Sequence, residues 1–195
     1  MTQSGDTIQE QQILEKAIRG DRQALTYLVK RYTNMAYTIA LKIVHNKEDA
    51  EEVMQDAFMK AFASLNKFNK TAKFSTWLYR IVYNTALTKR KSQPINHTGI
   101  ESTLLQESLK TEAHVEWNDL QNQDRKKYVR QALSHLMPDD YLVVTLYYMG
   151  DKSIAEISEI MDKKTSAIKM QLLRARKQLE QELKRVLDEE IKDLL

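Results

Sequence analysis

Cysteine is absent from this sequence, which excludes a disulfide framework, an iron–sulfur cluster and a Cys-ligated zinc site, and gives no sign of an oxidising compartment. Glycine and proline are scarce, 4 and 2 of 195 residues, too few for a strand-rich fold built on tight turns. No apolar run is long enough to span a bilayer; the best, Leu142 to Met149, has the length of a buried helix. The start, Met1 to Asp6, is polar and lacks the basic-then-apolar order of a secretory signal, so a soluble cytoplasmic protein without membrane insertion is expected. There is no Gly-rich phosphate loop and no nucleophile elbow, so neither a catalytic residue nor a small-molecule substrate is expected. The histidines are scattered: His45 stands alone, His97 and His114 fall in a polar stretch, and His135 lies between Leu133 and Leu136. No metal and no cofactor is expected.

What is present is helix. Apolar residues make up 42% of the chain, enough for real cores. From Asp21, an N-cap candidate, to Val44, Leu25, Leu28, Val29, Tyr32, Ala36, Ile39, Ala40 and Ile43 recur at helical steps. Glu48 to Leu65 carries one stripe of Ala50, Val53, Met54, Ala57, Phe58, Ala61, Phe62 and Leu65. Its first turn is crowded by Glu48, Asp49, Glu51 and Glu52, where a helix dipole favours negative charge. After a basic loop, Asn66 to Lys73, Ser75 can cap a helix from Thr76 to Lys91. Residues 92–123, with Pro94, Gly99 and several Ser and Thr, read as a linker. Beyond it, Val129 to Leu136 suggests a helix, and Pro138 opens another through Met149. Ser153 and Glu156 form a capping box before a short helix to Met161. After the turn Asp162–Lys164, Thr165 can cap a long helix with Ile168, Leu172, Ala175, Leu179 and Leu183 along its seam. The expected fold is all-α: two small helical domains, 1–91 and 124–195, joined by a flexible acidic linker.

Charge follows the same division. Bases prevail over 1–91; the linker has one base, Lys110, against Glu101, Glu107, Glu112, Glu116 and Asp119; bases cluster again at Lys163, Lys164, Lys169, Arg174, Arg176 and Lys177. Basic patches are the usual electrostatic footprint of nucleic-acid binding. A short helix, a tight turn and a second helix with early basic residues make a helix-turn-helix signature over Ser153 to Arg176. Ser166, Lys169, Met170, Gln171 and Arg174 are the residues expected to face a major groove. Between Asn66 and Lys91, Phe68, Phe74, Trp77, Tyr79 and Tyr83 alternate with Lys67, Lys70, Lys73, Arg80, Lys89, Arg90 and Lys91. Aromatic faces that stack bases, with cations that follow phosphates, suit a single strand. Trp77 stands between core and contact; Tyr83 and Asn84 are the stronger contact candidates. The bland readings are a helical hairpin with a solvated basic face and, for the acidic cluster, a solvated or protein-docking face.

Taken in order, these segments resemble the bacterial sigma factors of the extracytoplasmic-function (ECF) type. Glu48-Asp49-Ala50-Glu51-Glu52-Val53-Met54-Gln55-Asp56-Ala57-Phe58 is similar to the family's polymerase-docking helix, and Phe74 to Asn84 to its promoter-melting helix. Leu136-Met137-Pro138, Ser153 to Ile157 and Leu172 to Leu179 are similar to its reader of the upstream promoter element. The resemblance implies a non-catalytic subunit that binds core RNA polymerase, at its beta-prime and beta subunits, and promoter DNA. Asp49, Glu52, Gln55 and Asp56 would dock on the beta-prime coiled coil. Phe68, Lys73, Thr76, Arg80, Tyr83, Asn84 and Lys91 would serve the minus-ten element. The helix from Thr165 would read the minus-thirty-five element. The linker would thread the polymerase channels, and an anti-sigma factor is implied as a partner. The sequence departs from the family at Asp162, where glycine is common, at Thr88, where aspartate is common, and at Met170-Gln171, where a polar, basic pair is common. Gln171 on adenine and Met170 on a thymine methyl would alter promoter preference. Rival readings are a stand-alone helix-turn-helix regulator, a helical adaptor and, more distantly, a metal-dependent nuclease.

Overall fold

A computed structural model describes residues 3–68, 72–92 and 120–193. Among them are eight α-helices and one 3-10 turn. The chain forms two units, Met1–Gln93 and Pro94–Leu195.

The first unit contains α1 (Gln3–Ile18), α2 (Arg22–Val44), α3 (Lys47–Ala63), the 3-10 turn (Leu65–Lys67) and α4 (Phe74–Ser92). Asp21 caps α2, its carboxylate accepting from the Gln23 and Ala24 amides at 2.8 and 3.0 Å. Asn46 caps α3 by accepting from the Asp49 amide at 2.8 Å. Between these caps, His45 ends α2 with φ 58, the left-handed conformation of a helix C-terminus. The helices α2, α3 and α4 pack on one another. Leu28, Ile39, Val53, Phe74, Leu78 and Val82 are fully buried in their common core. An aromatic cluster closes one end: Phe74 lies 5.5 Å from Tyr32, 5.8 Å from Phe68 and 5.8 Å from Trp77, between ring centroids.

Two features of this unit's helices differ from the sequence expectation. The N-terminal helix α1 was not legible, because its apolar positions are few; it is held by burial of Leu14 and Ala17 and by the Tyr32 hydroxyl, which donates to Glu10 at 2.7 Å. Burial, first, and the Glu10 carboxylate push the Tyr32 phenol well above its ordinary range. Ser75 is not the cap of α4. The Thr76 and Trp77 amides donate to the Lys73 carbonyl at 3.0 and 3.2 Å, so the helix begins earlier, at Phe74. Burial of the Phe74 ring draws that residue into the first turn.

In the second unit, α5 (Leu120–Ser134), α6 (Pro138–Tyr148) and α7 (Ile154–Met161) pack against α8 (Thr165–Asp193). Ile157, Ile160, Ile168, Leu142, Val143 and Leu146 form the fully buried centre. The Ser153–Glu156 capping box is complete. Asp162 ends α7 with φ 53 and takes the left-handed position where glycine is otherwise the easy choice. The Ile168 amide donates to the Lys164 carbonyl at 3.1 Å, which makes Lys164 the cap position and Thr165 the first residue of α8. Of the stretch read as a linker, Ser92 ends α4 and 120–123 belong to α5. Residues 93–119, with Trp117, lie outside the described residues, as do 69–71 of the basic loop.

Candidate nucleic-acid interface

Each helical residue turns about 100° from the last, so exposure separates the faces cleanly. On α3, Ala50, Val53, Ala57, Phe58 and Ala61 are buried, and Glu48, Glu51, Glu52, Gln55 and Asp56 are exposed on the other side. The acidic face carries an apolar residue that the sequence reading passed over: Met59, 69% exposed, one turn beyond Gln55 and Asp56. Two of its carboxylates reach a neighbouring helix. The Lys89 ammonium of α4 lies 2.7 Å from Glu52 and 3.2 Å from Asp49. The hydrogen bond to Glu52, then the one to Asp49, holds that ammonium in its charged form.

On α4 the outward side is turned from where the sequence placed it. Thr76 is 0% and Tyr83 6% exposed, so neither presents a surface to a nucleic acid. Phe68 is buried as well, with its ring 5.2 Å from that of Trp77. Thr76 and Tyr83 are corrected because α4 packs against both α2 and α3, so residues flanking its apolar stripe are also covered, and Phe68 because its ring packs on Phe74 and Trp77. The exposed line is Lys73, Arg80, Asn84 and Lys91, with Trp77 and Leu87 half-buried along it. Trp77 is thus the aromatic at the surface. Its inner edge is supported by Phe68 and Phe74.

On α8, Ser166, Lys169, Met170 and Arg174 are exposed, as expected. Gln171 is not; it is 7% exposed, and its side-chain amide donates to Asp140 at the start of α6 at 2.9 Å. Its carbonyl oxygen accepts from Lys163 at 3.4 Å, and Lys163 also pairs with Asp139 at 2.6 Å. Gln171 therefore locks α8 to α6 instead of facing outward. The sequence reading also missed Leu173, 60% exposed one turn beyond Met170 and Lys169. A count of helical steps from Ser166 would have found it. Among the described residues no group of three or more His, Asp or Glu could hold a metal ion, and no helix is long and apolar enough to cross a membrane.

The chain matches known families in both units. Residues 28–94 match the family model for Sigma-70 region 2, and residues 126–179 the model for Sigma-70 region 4. The chain is 27% identical over 183 residues to the ECF RNA polymerase sigma factor SigW of Bacillus subtilis, covering 88% of this chain and 95% of that one. The chain belongs to the ECF sigma factors. The sigma factor's fold is also that of solved structures. It matches CnrH, solved in complex with the cytosolic domain of CnrY, with a TM-score of 0.59 at 20% identity, over 89% of this chain and 96% of that one. It matches the sigma factor RpoE from Bartonella quintana, solved with the anti-sigma factor NepR, with a TM-score of 0.57 at 22% identity, over 82% and 96%. In this sigma factor, region 2 runs from α2 through α4 and region 4 from α5 into α8. Such a subunit directs transcription to promoters; sigma factors are initiation factors, not enzymes.

Proposed function

We propose that this sigma factor divides its work among three exposed helical faces. The α3 face, with Asp49, Glu52, Gln55 and Asp56, docks on the beta-prime coiled coil of core polymerase, and Met59 supplies an apolar contact within that acidic field. The α4 face takes the unpaired strand of the minus-ten element. Arg80, Lys73 and Lys91 meet its phosphates, Asn84 offers hydrogen bonds to a base edge, and Trp77 offers a stacking surface. Phe68 acts from behind by supporting the Trp77 ring. The α8 face enters the major groove of the minus-thirty-five element through Ser166, Lys169, Met170 and Arg174. The protein supplies binding energy and no bond chemistry of its own: strand opening is favoured because the separated strand gains contacts that duplex DNA cannot make.

The observation that carries this reading is the order of the parts: an acidic exposed helix and an aromatic-basic exposed helix in one unit, a helix-turn-helix with a basic exposed face in the other. A stand-alone regulator would leave the acidic face of α3 without a task. The acidic stretch 92–123 would occupy basic polymerase channels. The relative from Bartonella quintana was solved with an anti-sigma factor, and we propose a partner of that class here, acting in the cytoplasm.

The test is transcription by purified core polymerase on a library of promoter fragments, with and without the protein. Promoter-specific transcripts are expected only with it. Their loss on reversing Gln55 and Asp56 to Lys would locate docking on α3 without disturbing the Lys89 pairs. Folded protein that neither binds core nor initiates would overturn the reading, and tight, specific footprints on free duplex would put the regulator in its place.

A further inference from the structure

The exposed face of α8 has an order that its composition hides. With Ser166 as the origin, helical geometry puts Met170 at about +40°, Leu173 at about −20° and Lys177 at about +20°, all near the midline. Lys169 falls at about −60° and Arg174 at about +80°, one on each flank. Met170 and Leu173 are 57% and 60% exposed, and Lys169, Arg174 and Lys177 are exposed around them. The buried seam, Ile168, Leu172 and Ala175, lies on the opposite side. Gln171, whose amide is suited to bond an adenine edge, is turned about 140° from Ser166 and tied to Asp140 and Lys163.

A helix in a major groove has base edges beneath its midline and a phosphate backbone beyond each flank. Here the flanks are cationic, which complements phosphate, and the middle of the midline, between Ser166 at one end and Lys177 at the other, is the apolar pair Met170 and Leu173. Methionine and leucine cannot exchange hydrogen bonds with bases. The apolar group that a base pair presents in the major groove is the C5-methyl of thymine. We infer that Met170 and Leu173 are specificity-determining residues that read thymine methyl groups in the upstream promoter element, with Lys169 and Arg174 holding the flanking phosphates. The sequence alone suggested two modes, adenine through Gln171 and thymine through Met170. The side-chain bonds of Gln171 remove the first, and exposure of Leu173 extends the second. The inference rests on α8 being the reader of the minus-thirty-five element.

The test uses the holoenzyme assembled from core polymerase and the full chain. Duplexes randomised over the upstream element are selected for binding, and thymine is expected at neighbouring positions on the face that α8 meets. Each such thymine is then replaced by deoxyuridine, which removes one methyl and leaves every hydrogen-bonding group in place. Affinity should fall about four-fold per contacted methyl, the burial of one methyl converted at tenfold per 1.4 kcal/mol. The penalty should vanish in the Met170→Ala, Leu173→Ala double variant. Both side chains lie at the surface, so its thermal midpoint should match the parent, and the deoxyuridine series on the parent protein needs no variant at all. A selected element without thymine, a neutral deoxyuridine series, or a penalty that persists in the double variant would overturn the inference. The Lys169→Ala, Arg174→Ala variant separates the two levels. If it weakens promoter binding and flattens its salt dependence while deoxyuridine is neutral, α8 reads DNA by other means. If it leaves binding unchanged, α8 is not the reader, and a protein occupant over Met170 and Leu173 becomes the explanation.

Discussion

The exposed faces of α3 and α8 are built on one plan with opposite charge. Each has methionine within a charged field: Met59 among Glu52, Gln55 and Asp56, Met170 beside Leu173 between Lys169 and Arg174. They differ in how each treats its polar groups. On α3, Asp49 and Glu52 share Lys89 of α4, so part of the acidic field is already neutralised within the unit. On α8, Gln171 is withdrawn to α6, which leaves Met170 and Leu173 between cationic flanks. A charged helix face is thus set by which of its residues the neighbouring helices have already engaged, and composition alone does not reveal that.

Four substitutions would break or sharpen the comparison. Ile160→Ala, in the fully buried centre of the second unit, should cost about 2–5 kcal/mol through lost burial and a cavity. Differential scanning calorimetry should show the second unit's transition lowered and the first unit's retained, with the α8 face lost and the α3 face intact. Gln171→Ala removes the bond to Asp140 and should cost about 1–2 kcal/mol in chemical denaturation. Its selected promoter positions should stay those of the parent; relaxed selectivity at one adenine would return Gln171 to the reading face. Tyr32→Phe removes the hydroxyl bond to Glu10 and should cost about 1 kcal/mol, read as earlier loss of α1 in hydrogen exchange. Lys89→Gln should have the smallest effect, because its pairs lie at the surface, half-buried at most, where water and salt screen them. Core affinity is expected to rise about two-fold at low salt, from the carboxylates that Lys89 releases, and to return to the parent value at high salt.

Much of the site is legible in the amino-acid order. The carboxylates of Glu48 to Glu52 announce the first turn of α3, and the Ser153–Glu156 box announces α7. Other residues are not legible in that way. Thr76 and Tyr83 sit at the edge of an amphipathic stripe, where the helical period alone leaves the inside and outside boundary open by a residue or two. Helix α1 has too weak a stripe to stand out, and depends on burial of Leu14 and Ala17 against the rest of the unit and on the bond of Glu10 to Tyr32 of α2.

By itself the sequence determined the helices after the first, the caps at Asp21 and Ser153, the helix-turn-helix, the basic–acidic–basic division and the family, because these rest on local spacing and on motifs that survive without neighbours. Only the tertiary structure decided which edge of α4 is covered, that Trp77 and not Tyr83 stands at the surface, that Lys89 engages the acidic helix, and that Gln171 faces Asp140. The physical reason is common to all four. A helix's own period ranks its residues around an axis, but the width of the buried arc and the partner of each polar group are set by the helices packed against it.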